Sequence, residues 1–132
     1  MEVIRTTLIT TEMRRLTQIA AWLLLIAISW LSLCPPWLRP VTPAPHNIEH
    51  VAIFLLMGFA FRIGYPRRYL FQSIALIGFA GLIEIAQLWV PGRHARLSDF
   101  IVDASTVCAG IGLAWLIDRF VSDTISAHDH GA

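Results

Sequence analysis

The residues of this sequence that could do chemistry are a few acidic, basic and imidazole side chains among long apolar runs. Three pairs have helical spacing: Glu84 with Gln87, His46 with His50, and Asp99 with Asp103. Residues three or four positions apart lie on one face of a helix, so each pair would present its polar groups together. Carboxylates and imidazoles can exchange protons or hold a cation, and arginine suits a phosphate or a carboxylate.

These side chains form one candidate site with two sets of roles. The ligand-binding candidates are Arg93, Gln87, His50, Glu84, Asp99 and Asp103. If the protein catalyses a reaction, the candidates for acid–base catalysis are His50, Glu84 and Asp99. We expect Arg93 to contact an anionic group and Asp103 to support the other side chains. The two cysteines do not have the spacing of metal ligands, and we expect neither a metal site nor a cofactor.

Several of the same residues also have a purely structural interpretation. Glu84, paired with Arg93 or with a histidine, would form an ion pair that holds the helices together. Glu49 and His46 would cap the second helix, because carboxylates favour helix N-termini. Asp99 would be the N-cap residue of the fourth helix. Each of these interpretations stays open beside the functional one.

The composition indicates which solvent surrounds these residues. Of the 132 residues, 56% are hydrophobic and only 14% are charged, whereas a soluble domain carries about 25% charged residues. The mean hydropathy is +0.64, and every basic residue other than histidine is an arginine. A chain with so little polar surface is not a cytosolic enzyme, a nucleic-acid-binding protein or a disordered segment. The composition favours a protein that lies in lipid.

Four apolar stretches predict an all-α integral membrane protein with four transmembrane helices, forming one domain over residues 1–132. The stretches cover residues 16–33, 47–64, 70–90 and 100–117, between flanking tails at 1–15 and 120–132. About 20 helical residues cross a hydrocarbon core about 30 Å thick. The second stretch is the weakest, because only residues 51–61 are free of polar side chains; it would span or re-enter the membrane. The prolines between Cys34 and His46 predict an extended loop there.

The arginines predict the orientation of these helices. Seven lie on the side that holds both termini and three on the other, namely Arg5, Arg14, Arg15, Arg62, Arg67, Arg68 and Arg119 against Arg39, Arg93 and Arg96. Positive residues concentrate on the cytoplasmic side, so we expect both termini there. The cytoplasmic arginines would do little beyond orienting the chain, and Arg96 would touch lipid phosphates. This topology puts the candidate site in the outer third of the membrane.

Two blocks within residues 45–117 resemble the VanZ-like family. The first block covers residues 47–62, with His50 followed by Phe54 and Gly58. The second block contains Glu84-x-x-Gln87, Val90-Pro91-Gly92-Arg93 and Asp99. The resemblance implies a small bacterial inner-membrane protein. The founding member of that family is associated with teicoplanin resistance, and many relatives occur in envelope or exopolysaccharide contexts.

The resemblance has departures and carries no catalytic role, since no molecular activity is established for the family. His46-Asn47 stands where the family usually has Asp-Lys. Asp103 and Thr106 stand where the family usually has Asn and Gly. If the usual Asn hydrogen-bonds between helices, Asp103 introduces a charge at that position.

Our leading hypothesis is a cell-envelope protein whose outward-facing polar site binds or processes an anionic lipid-linked or glycan-related ligand. Such a protein could affect glycopeptide susceptibility or envelope polysaccharide. Its expected partners are membrane lipids, that ligand and an envelope protein. We expect no nucleic-acid partner. One alternative is a non-enzymatic accessory subunit of an envelope enzyme or transporter. A weaker alternative is a proton or cation pathway through His50, Glu84 and Asp103.

Overall fold

The computed structural model describes residues 2–38 and 46–129, and it describes side chains over residues 11–38 and 48–121. This part of the chain is all-helical, as the sequence predicts. The helices are α1 (Glu2–Leu33), α2 (His46–Gly64), α3 (Tyr69–Gln87) and α4 (Leu97–Asp129), and a 3₁₀ turn covers Pro36–Leu38. Most of the predicted proline-rich loop lies outside the described residues.

The helix boundaries differ from the predicted ones mainly at polar ends. α1 and α4 are much longer than the apolar runs that predicted them, because the helical backbone continues into the polar flanking residues. α3 ends at Gln87 and not at residue 90. The amides of residues 88–90 each donate to the carbonyl oxygen three residues earlier, as in a turn. Pro91 follows and cannot continue a helix.

Three described helical segments are long and apolar enough to cross a membrane: Thr11–Leu33, Tyr69–Gln87 and Leu97–Val121. The chain is therefore a multi-pass membrane protein by length and composition. α2 is not among these segments, and it contributes Phe54, Met57 and Phe61 to the buried core. A fourth span through α2, and cytoplasmic termini, stay predictions.

α2 and α4 pack closely because glycine removes the side chain at two crossing points. A Cβ atom on Gly58 would lie 2.3 Å from the carbonyl oxygen of Val107, and one on Gly110 would lie 2.2 Å from that of Leu55. Small residues let helix backbones approach in this way. Thr106, Gly110 and Ala114 are small residues spaced four apart on one face of α4, and all three are buried.

We predict that Gly110→Ala destabilises the protein by about 1–3 kcal/mol, because the added methyl group meets backbone atoms that cannot move away easily. The matched control is Gly112→Ala on the same helix, where an added Cβ meets nothing within 4 Å. Reversible unfolding in mixed micelles measures the difference. Equal stability of the two variants would contradict the close α2–α4 contact.

Candidate functional site

The centre of the candidate site is a hydrogen-bonded pair between α2 and α4. His50 Nδ1 lies 3.0 Å from Asp103 Oδ1 and 3.3 Å from Oδ2, so the imidazole donates to the carboxylate. The Asp103 side chain is 1% exposed and the His50 side chain 14% exposed. The His50 ring also stacks on Phe54, one helical turn further along α2. These contacts fix the orientation of the imidazole.

Glu84 connects α3 to the start of α4. Its side chain is buried, and Oε2 accepts a hydrogen bond of 2.9 Å from the backbone N–H of Arg96. Arg96 immediately precedes α4, where N–H groups have no partner within the helix. The Glu84 carboxylate therefore caps the α4 N-terminus from a neighbouring helix.

Asp99 lies within the first turn of α4, where its charge is favourable to the helix dipole. It is half-buried and accepts a hydrogen bond from the hydroxyl of Ser98. Because α4 begins at Leu97, Asp99 is not the N-cap residue, and that structural interpretation is wrong. The position before the helix belongs to Arg96, whose amide Glu84 already holds.

The site collects more negative than positive side chains. The carboxylates of Asp99 and Asp103 and the imidazole of His50 all interact electrostatically with the Glu84 carboxylate. Three acids beside one histidine repel a bound anion and attract hydroxyl, ammonium or cationic groups. The described residues nonetheless contain no group of three or more His, Cys, Asp or Glu side chains arranged to hold a metal ion.

Arg93 and Gln87 bind the C-terminal end of α1. Arg93 Nη2 donates to the carbonyl oxygens of Leu31 at 2.9 Å and Cys34 at 3.2 Å. Gln87 Nε2 lies 3.4 Å from the carbonyl oxygen of Ser32. These bonds give Nη2 of Arg93 a structural role at a helix end, and the contact of Arg93 with an anionic ligand stays a prediction.

The structure brings together His50, Glu84, Asp99 and Asp103, which the predicted topology places at a similar depth in the membrane. The side chain of His46 lies outside the described residues. Glu49, the other predicted cap of α2, is half-buried in the first turn of that helix.

The sequence assigns seven arginines to the cytoplasmic side and expects them only to orient the chain, and this expectation is wrong for two of them. Arg14 Nε and Gln18 Nε2 both donate to the carbonyl oxygen of Gly64 at the end of α2. Arg62 is buried and lies 3.3 Å from the carboxylate of Asp118 on α4. Arg14 and Gln18 share a helical face, and this spacing was the available sequence signal.

A family model described as VanZ/LLP1 matches residues 3–118 of the chain, which includes part or all of each described helix and the whole site. No curated protein and no solved structure matches the chain. The family match confirms the resemblance found in the two sequence blocks.

We predict that Arg93→Ala loosens the end of α1 and exposes Cys34, whose side chain is buried in the wild type. Hydrogen bonds to a charged group contribute about 1.5–3 kcal/mol each, so maleimide labelling of Cys34 should accelerate at least about tenfold. A Cys108→Ser background removes the exposed thiol. The matched control is Arg96→Ala, which keeps the backbone N–H that Glu84 binds. Equal labelling rates in both variants would show that Arg93 does not hold α1.

Proposed function

This chain belongs to the VanZ/LLP1 family, and we propose that it is a bacterial cell-envelope protein whose acid cluster binds a lipid-linked or glycan-related ligand. The acid cluster is His50, Glu84, Asp99 and Asp103. We further propose that the protein lies in the inner membrane with both termini cytoplasmic, so that the cluster faces outward. The observation that carries the proposal is the hydrogen bond of His50 to the buried Asp103, beside the buried carboxylate of Glu84.

Stability alone does not account for this arrangement. Ionised carboxylates are costly inside a membrane protein, by up to about 2.5–3.5 kcal/mol at a helix centre, and apolar replacement of a buried ion pair is often neutral or stabilising. The acid cluster instead places Asp99 and Asp103 within electrostatic reach of Glu84. Ionisable residues concentrated in a membrane protein are a mark of a functional site.

The chemistry of the acid cluster favours a ligand rich in hydrogen-bond donors. Carboxylate oxygens only accept, so sugar hydroxyls or ammonium groups are suitable partners. An anionic group on the same ligand would lie toward the exposed side chain of Arg96 in the α3–α4 loop. In this proposal Arg93 is a positioning residue that holds the end of α1 against the site.

His50 could also transfer a proton. Asp103 holds its Nδ1, as a carboxylate orients the imidazole in many acid–base catalysts, and proton exchange with a ligand would then take place at Nε2. Whether the protein only binds its ligand or also converts it decides whether it is an enzyme. A change in glycopeptide susceptibility or in envelope polysaccharide is the cellular effect that we propose.

A transmembrane proton pathway has less support. Below the acid cluster and Thr106, whose hydroxyl donates to the carbonyl oxygen of Val102, the α2–α4 interface contains buried Met57, Val107, Ile111 and Ala114, none of which has an ionisable side chain. The next ionisable pair in that interface is Arg62 with Asp118, about 20 Å from Asp103 along α4 at the helical rise. An apolar stretch of this length would interrupt a proton relay.

We predict that the detergent-solubilised protein retains undecaprenyl phosphate-glucose over undecaprenyl phosphate in native mass spectrometry, since only the first probe brings sugar hydroxyls. Glu84→Gln should reduce that preference about tenfold, the effect of losing one charge-assisted hydrogen bond. The control is Glu12→Gln, an exposed acid on α1.

Equal retention of both probes by the wild type would contradict the proposal. So would an equal loss of preference in Glu84→Gln and Glu12→Gln. Co-purification of one envelope protein at a fixed ratio, without bound probe, would favour the accessory-subunit alternative.

A further inference from the structure

A separate groove lies at the opposite end of the bundle from the acid cluster. α1 and α3 form its walls and the end of α2 its floor, and its volume is about 220 Å³. The residues that define its shape are Trp22, Phe61, Tyr65, Phe71, Ala75 and Phe79. The groove is predominantly apolar, and no residue of the acid cluster lines it.

Aromatic contacts give this groove a fixed wall. Trp22 and Phe61 pack edge to face with ring centroids 5.6 Å apart, and Phe61 stacks on Tyr65 at 6.1 Å. The indole Nε1 of Trp22 also donates to the hydroxyl of Tyr65 at 3.0 Å. The wall therefore presents a rigid apolar surface, with its polar atoms engaged near the helix end.

One cationic side chain stands at the rim of the groove. Arg68 lines the groove from the turn between α2 and α3, and its side chain is exposed. Hydrogen bonds fix this turn, because the amide of Arg68 and the side-chain amide of Gln72 both donate to the carbonyl oxygen of Tyr65. These hydrogen bonds therefore fix the backbone of Arg68 at the rim of the groove.

The charge around this rim is positive. Arg67 and Arg68 are both exposed on the turn. The acids described at this end already face arginines, since Glu12 pairs with Arg15 and Asp118 pairs with Arg62. An anion therefore finds complementary charge at the rim.

We propose that this groove binds one anionic phospholipid, with an acyl chain in the aromatic slot and the phosphate on Arg68. A slot that is apolar inside and cationic at its rim matches an amphiphile with a negative headgroup. Basic pockets between transmembrane helices are known to bind the headgroups of anionic lipids. The proposal is independent of the ligand of the acid cluster, because the two sites lie at opposite ends of the bundle.

Native mass spectrometry of the full chain in mixed micelles tests the headgroup contact. With equal amounts of palmitoyl-oleoyl phosphatidylglycerol and phosphatidylcholine, the wild type should retain one phosphatidylglycerol preferentially. Arg68→Gln should lower this preference about fivefold, the effect of one basic residue at an anionic surface. Arg67→Gln is the matched control, because Arg67 is also exposed on this turn but does not line the groove.

A second pair of variants tests the acyl-chain slot without changing any charge. Ala75→Phe fills the groove from an exposed position and should abolish retention of the lipid. Ile74→Phe places the same ring on the lipid-facing side of α3, where the side chain is 72% exposed, and should retain wild-type binding. Unchanged melting temperatures establish that both variants are folded.

Three results would overturn the proposal: equal retention of both phospholipids by the wild type, an equal loss in Arg67→Gln and Arg68→Gln, or full retention in Ala75→Phe. The second result would assign the preference to diffuse surface charge, and the third would place the acyl chains elsewhere.

Discussion

A carboxylate buried inside an apolar helical bundle must have a partner, and this requirement determines how α2 and α4 pack. Asp103 is 1% exposed, and its partner is an imidazole on the neighbouring helix. A hydrogen bond of 3.0 Å between two helices requires their backbones to approach closely. Gly58 and Gly110 permit that approach because they lack a Cβ atom, which would collide with the facing backbone at either position. The polar pair and the glycine contacts are therefore parts of one interface.

A second constraint is that the ends of helices in lipid need partners other than water. At the end that carries the acid cluster, Glu84 accepts from the amide before α4, and Arg93 donates to the last carbonyls of α1. At the other end, Arg14 and Gln18 donate to the last carbonyl of α2. Side chains that close helix ends thus also connect the helices, and the candidate site is assembled beside such contacts.

The sequence predicts the depth of each residue better than it predicts that residue's partner. The helical rise placed His50, Glu84 and Asp103 in one layer, and the structure confirms that they lie together. The rotation and neighbours of each helix do not follow from one sequence. For this reason the contacts of Arg93 with helix-end carbonyls and the structural role of Arg14 did not follow from the sequence.

The boundaries of α2 show what a pattern can predict well. Its predicted range of 47–64 agrees closely with His46–Gly64, because polar residues and the following proline mark both ends. α4 extends well beyond its predicted end because polar residues after the apolar run remain helical. Apolar periodicity marks the buried part of a helix and says nothing about where its exposed part ends.

The most direct test of this account is a double-mutant cycle on the pair that joins α2 to α4. His50→Leu should destabilise the protein by about 3–5 kcal/mol, because it leaves the Asp103 carboxylate buried without its partner. Combined with Asp103→Leu, it should cost clearly less than the sum of the two single substitutions, with a coupling energy of about 1–3 kcal/mol in reversible unfolding. Additive losses, or single variants as stable as the wild type, would contradict the account.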